Sequence, residues 1–421
     1  MAECIVMPKN AQPSSIEVNG LADEDRIHQS IHALRNRLRD EPRNAIQWVE
    51  LSRLYTLLGE SDRSLRTMMI ATALGPDNRF VVRSAARLFL HEHDAARSLR
   101  IIRNASGGRS DPWLLAAEIA VASASNSPSL FAKIGSRRNQ DSSLSLFDRT
   151  ELSSALATLE LESGSSRRAR QLFRSALISP NENSIAQVEW ANRQIGSLEI
   201  EENLPHVPRS YEAPAHVALA TGQWEDAIRH GLNWLGDQPF SKRPAIFTSY
   251  ITSLVEDYAR SIQIIRASLK VNAHDPMLIN NLAFALASDN QVAQAVETLR
   301  STDHTSATGL SAVTLAATHG LVLFRTGFPD QGRVLYQIAI EKATGLSAQN
   351  YRVMAELYLA REELVANTAL AEPTATRALQ KALKSDSPEV GVIATQVLRL
   401  FKNWSALRGD SGSPQAVEEK E

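Results

Sequence analysis

The stretch WVELSRLYTLLGESDRSLRTMMIATALGP, residues 48–76, decides the fold. Trp48 and Tyr55 are seven residues apart, which places both on one face of a helix. Gly59 begins a turn, and Pro76 ends a second periodic run because proline cannot continue a helix. The stretch therefore predicts two short helices joined by a tight turn.

Small residues occur where these two helices must approach each other. Ser52 lies on the first helix, and Ser64 and Ala71 lie on the second. Met68 fills the space around them. This arrangement of large and small residues resembles the tetratricopeptide repeat, a helix–turn–helix unit of about 34 residues.

The pattern recurs along most of the chain. Pro42 lies 34 residues before Pro76, after a helical run that indicates a preceding half repeat. Two further 34-residue steps lead on from the unit that begins near Tyr211. The residues that indicate the other units are Trp113, Ala116, Ala117 and Ala120; Leu156, Ala157, Gly164, Ala169, Phe173 and Ala176; Tyr211, Ala215, Gly222, Ala227, Trp234 and Pro239; Leu282, Ala283, Leu286, Ala295 and Leu299; and His319, Gly320, Gly327, Gly332, Tyr336 and Ala339.

The fold class that follows is all-α, a right-handed α-solenoid of about nine or ten stacked helix pairs. Neighbouring pairs must stack because each pair has an apolar face that it cannot bury alone. The prolines of GSLEIEENLPHVPRS interrupt the frame and predict a linker. The predicted organisation is a flexible tail (1–20), an N-terminal degenerate array (21–195), an irregular linker (196–210), a C-terminal array with a capping helix (211–408) and a disordered acidic tail (409–421).

Composition excludes several classes of protein. The 421 residues are 43% hydrophobic and carry a net charge of −2, so no strong overall field favours nucleic acid or anionic lipid. A single cysteine, Cys4, rules out an intramolecular disulfide. No stretch approaches the roughly 18 apolar residues of a membrane span, and the N-terminus lacks a signal-peptide pattern. We expect a cytoplasmic protein.

The resemblance implies a binding groove along the inner, concave surface, which the first helix of each pair lines. Aromatic side chains beside arginine and asparagine suit a peptide or helix of a partner protein. The alternative is that Tyr250 and Phe284 only pack one repeat against the next. The predicted groove residues are Arg209, Glu212, His216, Arg243, Tyr250, Asn280, Phe284, Leu321 and Phe324.

The function predicted from this groove is a non-catalytic scaffold, an adaptor or a sensor subunit. Its effector would be encoded separately, because the chain shows no catalytic domain of its own. The carboxylate clamp of some tetratricopeptide domains is disfavoured: Asn281 occupies one plausible place, but the matching lysine and asparagine of the preceding repeats are absent. We expect no cofactor.

Two other functions stay open. A basic cluster could contact RNA phosphates, although the near-zero net charge argues against it. A self-assembling subunit could instead use its terminal helices or the VIATQVLRLF surface, residues 392–401. The basic cluster consists of Arg167, Arg168, Arg170 and Arg174.

No residue set predicts catalysis or a metal site. The chain lacks a G-x-S-x-G nucleophile motif and a Walker A loop. His28 and His32 share a helical face, and His91 and His93 flank Glu92, but neither pair has a third ligand nearby in the sequence. A solvent-exposed or capping role is the favoured interpretation of these histidines.

Overall fold

The computed structural model describes residues 24–194, 207–300 and 307–410, and these residues form twenty-one helices and no strand. The all-α prediction is thereby confirmed. The predicted tail at 1–20, residues 411–421 of the tail predicted at 409–421, and residues 196–206 of the predicted linker lie outside the described residues, while Gly409 and Asp410 belong to the last helix.

In the N-terminal half, a single helix precedes four helix pairs and one further helix. Consecutive helices of each pair pack against each other, and neighbouring pairs stack side by side. The helices are α1 (Glu24–Asp40), α2 (Ala45–Leu57), α3 (Ser61–Leu74), α4 (Arg79–His91), α5 (Ala95–Asn104), α6 (Pro112–Ala124), α7 (Ala132–Arg138), α8 (Leu146–Glu162), α9 (Ser166–Ala176) and α10 (Glu182–Gln194).

In the C-terminal half, five pairs precede a long last helix. The helices are α11 (Glu212–Ala220), α12 (Trp224–Asp237), α13 (Lys242–Leu254), α14 (Tyr258–Val271), α15 (Pro276–Ser288), α16 (Val292–Arg300), α17 (Gly309–Arg325), α18 (Pro329–Gly345), α19 (Gln349–Val365), α20 (Ala371–Ala382) and α21 (Pro388–Asp410).

Small residues twelve positions apart mark the point where the two helices of a pair cross. In the first pair, the Ser52 hydroxyl donates to the Ser64 carbonyl at 2.8 Å. The α13/α14 pair makes a similar bond in the opposite direction, since the Ser261 hydroxyl of the second helix donates to the Ser249 carbonyl of the first at 2.9 Å. A side chain larger than serine would separate the helices there, which is why the small residues of the frame predict the packing. The other crossing pairs are Ala86/Ser98, Ala157/Ala169, Ala215/Ala227, Ala283/Ala295 and Gly320/Gly332.

The glycines predicted at inter-helix turns adopt the left-handed conformation that favours glycine. Their φ angles are 73° at Gly59, 85° at Gly164, 72° at Gly222 and 89° at Gly327. Each turn reverses the chain within a few residues, so the second helix can pack against the first.

The predicted frame around Trp113 is wrong by two residues. The carboxylate of Asp111 caps α6 and accepts from the Trp113 N–H at 2.8 Å, which fixes where the helix begins. As a result Leu115 and Ile119 face the core, whereas Ala120, predicted as a packing residue, is exposed. Trp113 is instead the second residue of its helix and lies on the face that borders the next pair.

The array curves until its N-terminal pairs meet a later part of the chain. Lys270, at the end of α14, forms an ion pair with Glu24, and a side chain at Gly59 would meet the Lys270 carbonyl oxygen. The rings of His91 and Phe240 are 6.1 Å apart. We call this contact between α1–α4 and the α12–α14 region the seam.

The last two pairs contain a buried charge network. Glu362, fully buried on α19, accepts from Arg325 at 2.6 Å and from Arg361 at 2.8 Å. The neighbouring Glu363 is equally buried and pairs with Arg333 of α18. Buried charges this close must be paired, so the network fixes the positions of α17, α18 and α19 relative to one another.

Candidate functional site

The predicted groove residues of the C-terminal half contact the chain itself. The Tyr250 hydroxyl donates to Glu389 of α21 at 2.6 Å, and burial raises the pKa of Tyr250 well above its usual value. The Phe284 ring lies 5.5 Å from the ring of Tyr358 on α19. Both aromatic side chains therefore pack inside the chain, which was the alternative interpretation of the sequence.

Three further groove residues are inaccessible to a partner in this structure. Leu321 is fully buried, Phe324 is 5% exposed and Asn280 is 6% exposed. Leu321 and Phe324 belong to the same core cluster as residues of α14–α16. Leu321 and Phe324 lie on α17 and Asn280 lies on α15, and in this structure none of the three lines an open groove.

The remaining groove residues lie where α10, α11 and α13 meet. Glu212 of α11 forms an ion pair with Arg243 of α13, and Glu189 of α10 pairs with Arg193 at 2.7 Å. We call these four side chains the junction cluster. Arg209 precedes α11 with a left-handed φ of 66°.

Burial controls protonation in the junction cluster. It raises the pKa of Glu189 to about 7, against the opposing effect of Arg193. One carboxylate oxygen of Glu189 is buried without a hydrogen bond. His216 is enclosed by aromatic rings, 4.6 Å from Phe247, and burial together with the two arginines lowers its pKa to about 3. His216 is therefore neutral, and Glu189 titrates near neutral pH.

An exposed row of apolar side chains follows the N-terminal half, and sequence analysis missed it. Each is the second residue of the first helix of a pair, 33 or 34 residues after the previous one. The spacing of 33 or 34 residues is the sequence signal that marks this row. The members of this apolar row are Ile46 (53% exposed), Phe80 (52% exposed), Trp113 and Phe147 (53% exposed).

Two members of the apolar row, Trp113 and Phe147, contact each other across neighbouring pairs. The rings of Trp113 and Phe147 are 5.1 Å apart, and the indole N–H of Trp113 donates to Asp148 at 2.8 Å. The guanidinium of Arg83 lies 4.7 Å from the centre of the Trp113 ring. These contacts hold the indole in place and leave the flanking phenylalanines open to solvent.

Arginines of α4 border the apolar row. Arg79 pairs with Asp111 at 2.7 Å and Arg83 pairs with Glu151 at 2.7 Å. Arg87, one helical turn further, is exposed, and its pKa is lowered by partial desolvation and by the positive charge of Arg83. Asp237 of α12 acts on Arg87 from across the seam. Arg87 thus lies on the side of α4 that faces the seam.

The basic cluster lies on α9, the second helix of its pair. Arg167, Arg168 and Arg174 are exposed, and Arg168 pairs with Glu160 at 3.1 Å. Arg170 is half-buried. The face is therefore partly neutralised by a carboxylate of the preceding helix.

The two pairs of histidines named from the sequence do not meet at a common site. His28 and His32 line a cavity of about 220 Å³ together with Arg35 and Arg63. Across the described ranges, no group of three histidine, cysteine or carboxylate side chains could hold a metal ion.

Within residues 24–194, 207–300 and 307–410, no helix combines the length and apolarity required to cross a bilayer.

Similarity to known proteins is confined to solved structures with low sequence identity and low TM-scores. No protein family matches the sequence, and no curated protein does. Yeast Tom70 aligns over 94% of this chain and 96% of its own, with 11% identity and a TM-score of 0.33. Cut9–Hcn1 of the APC/C aligns over 90% of this chain and 97% of its own, with 11% identity and a TM-score of 0.34. A tetratricopeptide repeat protein of Parabacteroides merdae aligns over 71% of this chain and 93% of its own. The sequence identity is 11% and the TM-score is 0.27. Similarities this distant carry no inference about function.

Proposed function

We propose that this chain is a non-catalytic scaffold that binds a segment of a partner protein along the apolar row. The observation that carries the proposal is the exposure of three large apolar side chains, Ile46, Phe80 and Phe147, at equivalent positions of stacked helices. Apolar side chains in contiguous exposed rows, rimmed by polar groups, mark sites of protein interaction.

The chemistry of the partner follows from the arginines beside the row. Arg83 and Arg87 are one helical turn apart, and their like charges disfavour each other. Glu151 already pairs with Arg83, and a carboxylate on the partner would provide the same for the exposed Arg87. The segment that fits is therefore one with apolar side chains flanked by aspartate or glutamate.

The predicted C-terminal groove is the less suitable surface, because α19 and α21 cover it. The RNA alternative rests on a partly neutralised face of α9. In the VIATQVLRLF surface considered for self-assembly, Ile393 and Val397 are fully buried within the chain, which leaves fewer apolar side chains for a second copy to contact.

Affinity purification from the native host tests the proposal, with binding of the recovered protein then measured directly. The wild type is compared with Phe80→Ser/Phe147→Ser and with a control, Phe328→Ser/Val334→Ser, whose wild-type side chains are 53% and 60% exposed elsewhere. We expect the wild type and the control to retain a protein partner that the Phe80/Phe147 variant loses. Arg87→Glu should weaken the same complex. A partner that survives all these changes would overturn the assignment, and recovery of nucleic acid alone would favour the α9 face.

A further inference from the structure

The last helix, α21, does more than cap the final pair. It packs on α19 and α20, as a capping helix would, and also reaches back to α13. Its first residue, Pro388, lies over the turn between α11 and α12, where a side chain at Gly222 would be 3.2 Å from Pro388. The helix therefore bridges the first and last pairs of the C-terminal half.

Three polar contacts join α21 to α13 and the turn that follows it. Glu389 accepts from the Tyr250 hydroxyl at 2.6 Å. The Gln396 amide donates to the Leu254 carbonyl at 2.7 Å, and Arg399 pairs with Glu256 at 2.5 Å. These contacts follow one another along α21, so one side of the helix is matched to α13 over about three turns.

The apolar side of α21 is equally well matched. Val390, Ile393 and Val397, three and four residues apart, are fully buried. They pack in one cluster with Leu254 of α13 and Leu357 of α19. Tyr250 and Leu254 are first-helix residues on the inner side of the array, so α21 occupies the inner surface in the manner of a bound amphipathic helix.

The attachment of α21 to α13 weakens toward the C-terminal end of the helix, while Trp404 stays joined to the α19/α20 turn through a hydrogen bond to Asn367 at 3.0 Å. The Arg399–Glu256 pair is largely open to solvent, where an ion pair contributes little. Leu398 is 40% exposed and Leu407 is 78% exposed. Water can replace the polar contacts to α13 at small net cost, because a hydrogen bond exchanged with solvent changes the free energy only modestly.

We propose that α21 occupies, within its own chain, a helix-binding surface formed by α13 and α19, and that an amphipathic helix of a partner protein takes its place there. The partner helix has apolar side chains three and four residues apart. It carries a carboxylate near its N-terminus for Tyr250, an amide for the Leu254 carbonyl and a cation for Glu256. This surface is distinct from the apolar row, so a result that contradicts one proposal does not contradict the other.

A fluorescent peptide of residues 387–407 tests the proposal against the full chain. In the variant Glu389→Ala/Gln396→Ala/Arg399→Ala, the resident helix is weakened while the surface under it is intact. We expect this variant to bind the peptide at least tenfold more tightly than the wild type does. Adding Glu256→Lys should weaken that binding, and a peptide with Arg399→Glu should restore it. Equal affinity of wild type and variant would overturn the proposal.

Hydrogen exchange of the wild type provides a test that needs no variant. If α21 is displaceable, its amides should exchange by local opening, faster than those of α20. Exchange of α21 only with global unfolding would identify a permanent cap and overturn the proposal.

Discussion

Phe80 and Phe324 both lie on first helices of stacked pairs, yet Phe80 is half exposed and Phe324 is buried. Phe80 is the second residue of α4 and faces solvent, whereas Phe324 lies near the end of α17 and packs against Tyr336 and Gly332 of α18. In the N-terminal half the apolar row is open to solvent, and Arg79 and Arg83 lie beside it. In the C-terminal half α19 and α21 fold across the inner face and fill it. One repeat frame thus yields an open surface in one half and an occupied surface in the other.

The largest expected effect comes from breaking the charge network of the occupied half. Glu362→Ala leaves Arg325 and Arg361 without their buried partner, which we expect to cost about 3–5 kcal/mol. Urea denaturation measures the loss, and hydrogen exchange should place it in α17–α20. As a control, Glu297→Ala removes an exposed ion pair to Arg300 and should leave stability unchanged. Similar small losses of stability for Glu362→Ala and Glu297→Ala would show that the buried charge network does not stabilise the C-terminal half.

The two phenylalanines test the contrast directly. Phe324→Ala creates a cavity in a packed core and should cost about 3–5 kcal/mol. Phe80→Ala removes a ring that is half in solvent and should change the free energy of unfolding by less than about 0.5 kcal/mol. Comparable losses in thermal or urea unfolding would show that the N-terminal inner face is also packed.

Much of this contrast follows from features that the sequence does not display. The helix pairs could be predicted because small residues such as Ser52 and Ser64 recur at a fixed spacing. The burial of Tyr250 could not, since its partner Glu389 is 139 residues away and no local pattern links them. The open row was predictable in principle from the 33- or 34-residue spacing of Phe80, Trp113 and Phe147.

The junction between the two halves should respond to pH through Glu189. Its pKa in the folded chain is about 7, above the ordinary value of 4.5, so the folded state holds a proton that the unfolded state releases. The contribution of Glu189 to stability therefore falls as pH rises from about 4.5 through 7. Glu189→Gln should stabilise the chain at pH 8, by at most roughly 3 kcal/mol, and change little at pH 4.

Thermal unfolding at both pH values measures this effect, with Glu297→Gln as the exposed control. A stabilisation that is the same at pH 4 and pH 8 would show that Glu189 does not titrate as the junction requires.

The seam predicts a smaller difference between two glycines. Gly59 and Gly164 both have left-handed backbones, so alanine should cost about 1 kcal/mol at either position. Only at Gly59 would the new methyl group meet the Lys270 carbonyl, whereas the space around Gly164 is open. We expect Gly59→Ala to be the more destabilising and to increase the radius of gyration in X-ray scattering. Equal stability and equal radius of gyration for Gly59→Ala and Gly164→Ala would mean that the seam is not closed in solution.

Thiol labelling under native conditions tests the central contrast most directly. In a Cys4→Ser background, Phe80→Cys places a thiol on the apolar row, and Val390→Cys places one under α21 with little change of volume. We expect the thiol at position 80 to react at nearly the rate of an unfolded peptide, and the thiol at position 390 to react at least a hundredfold more slowly. Equal rates at the two positions would contradict an open N-terminal face and an occupied C-terminal one.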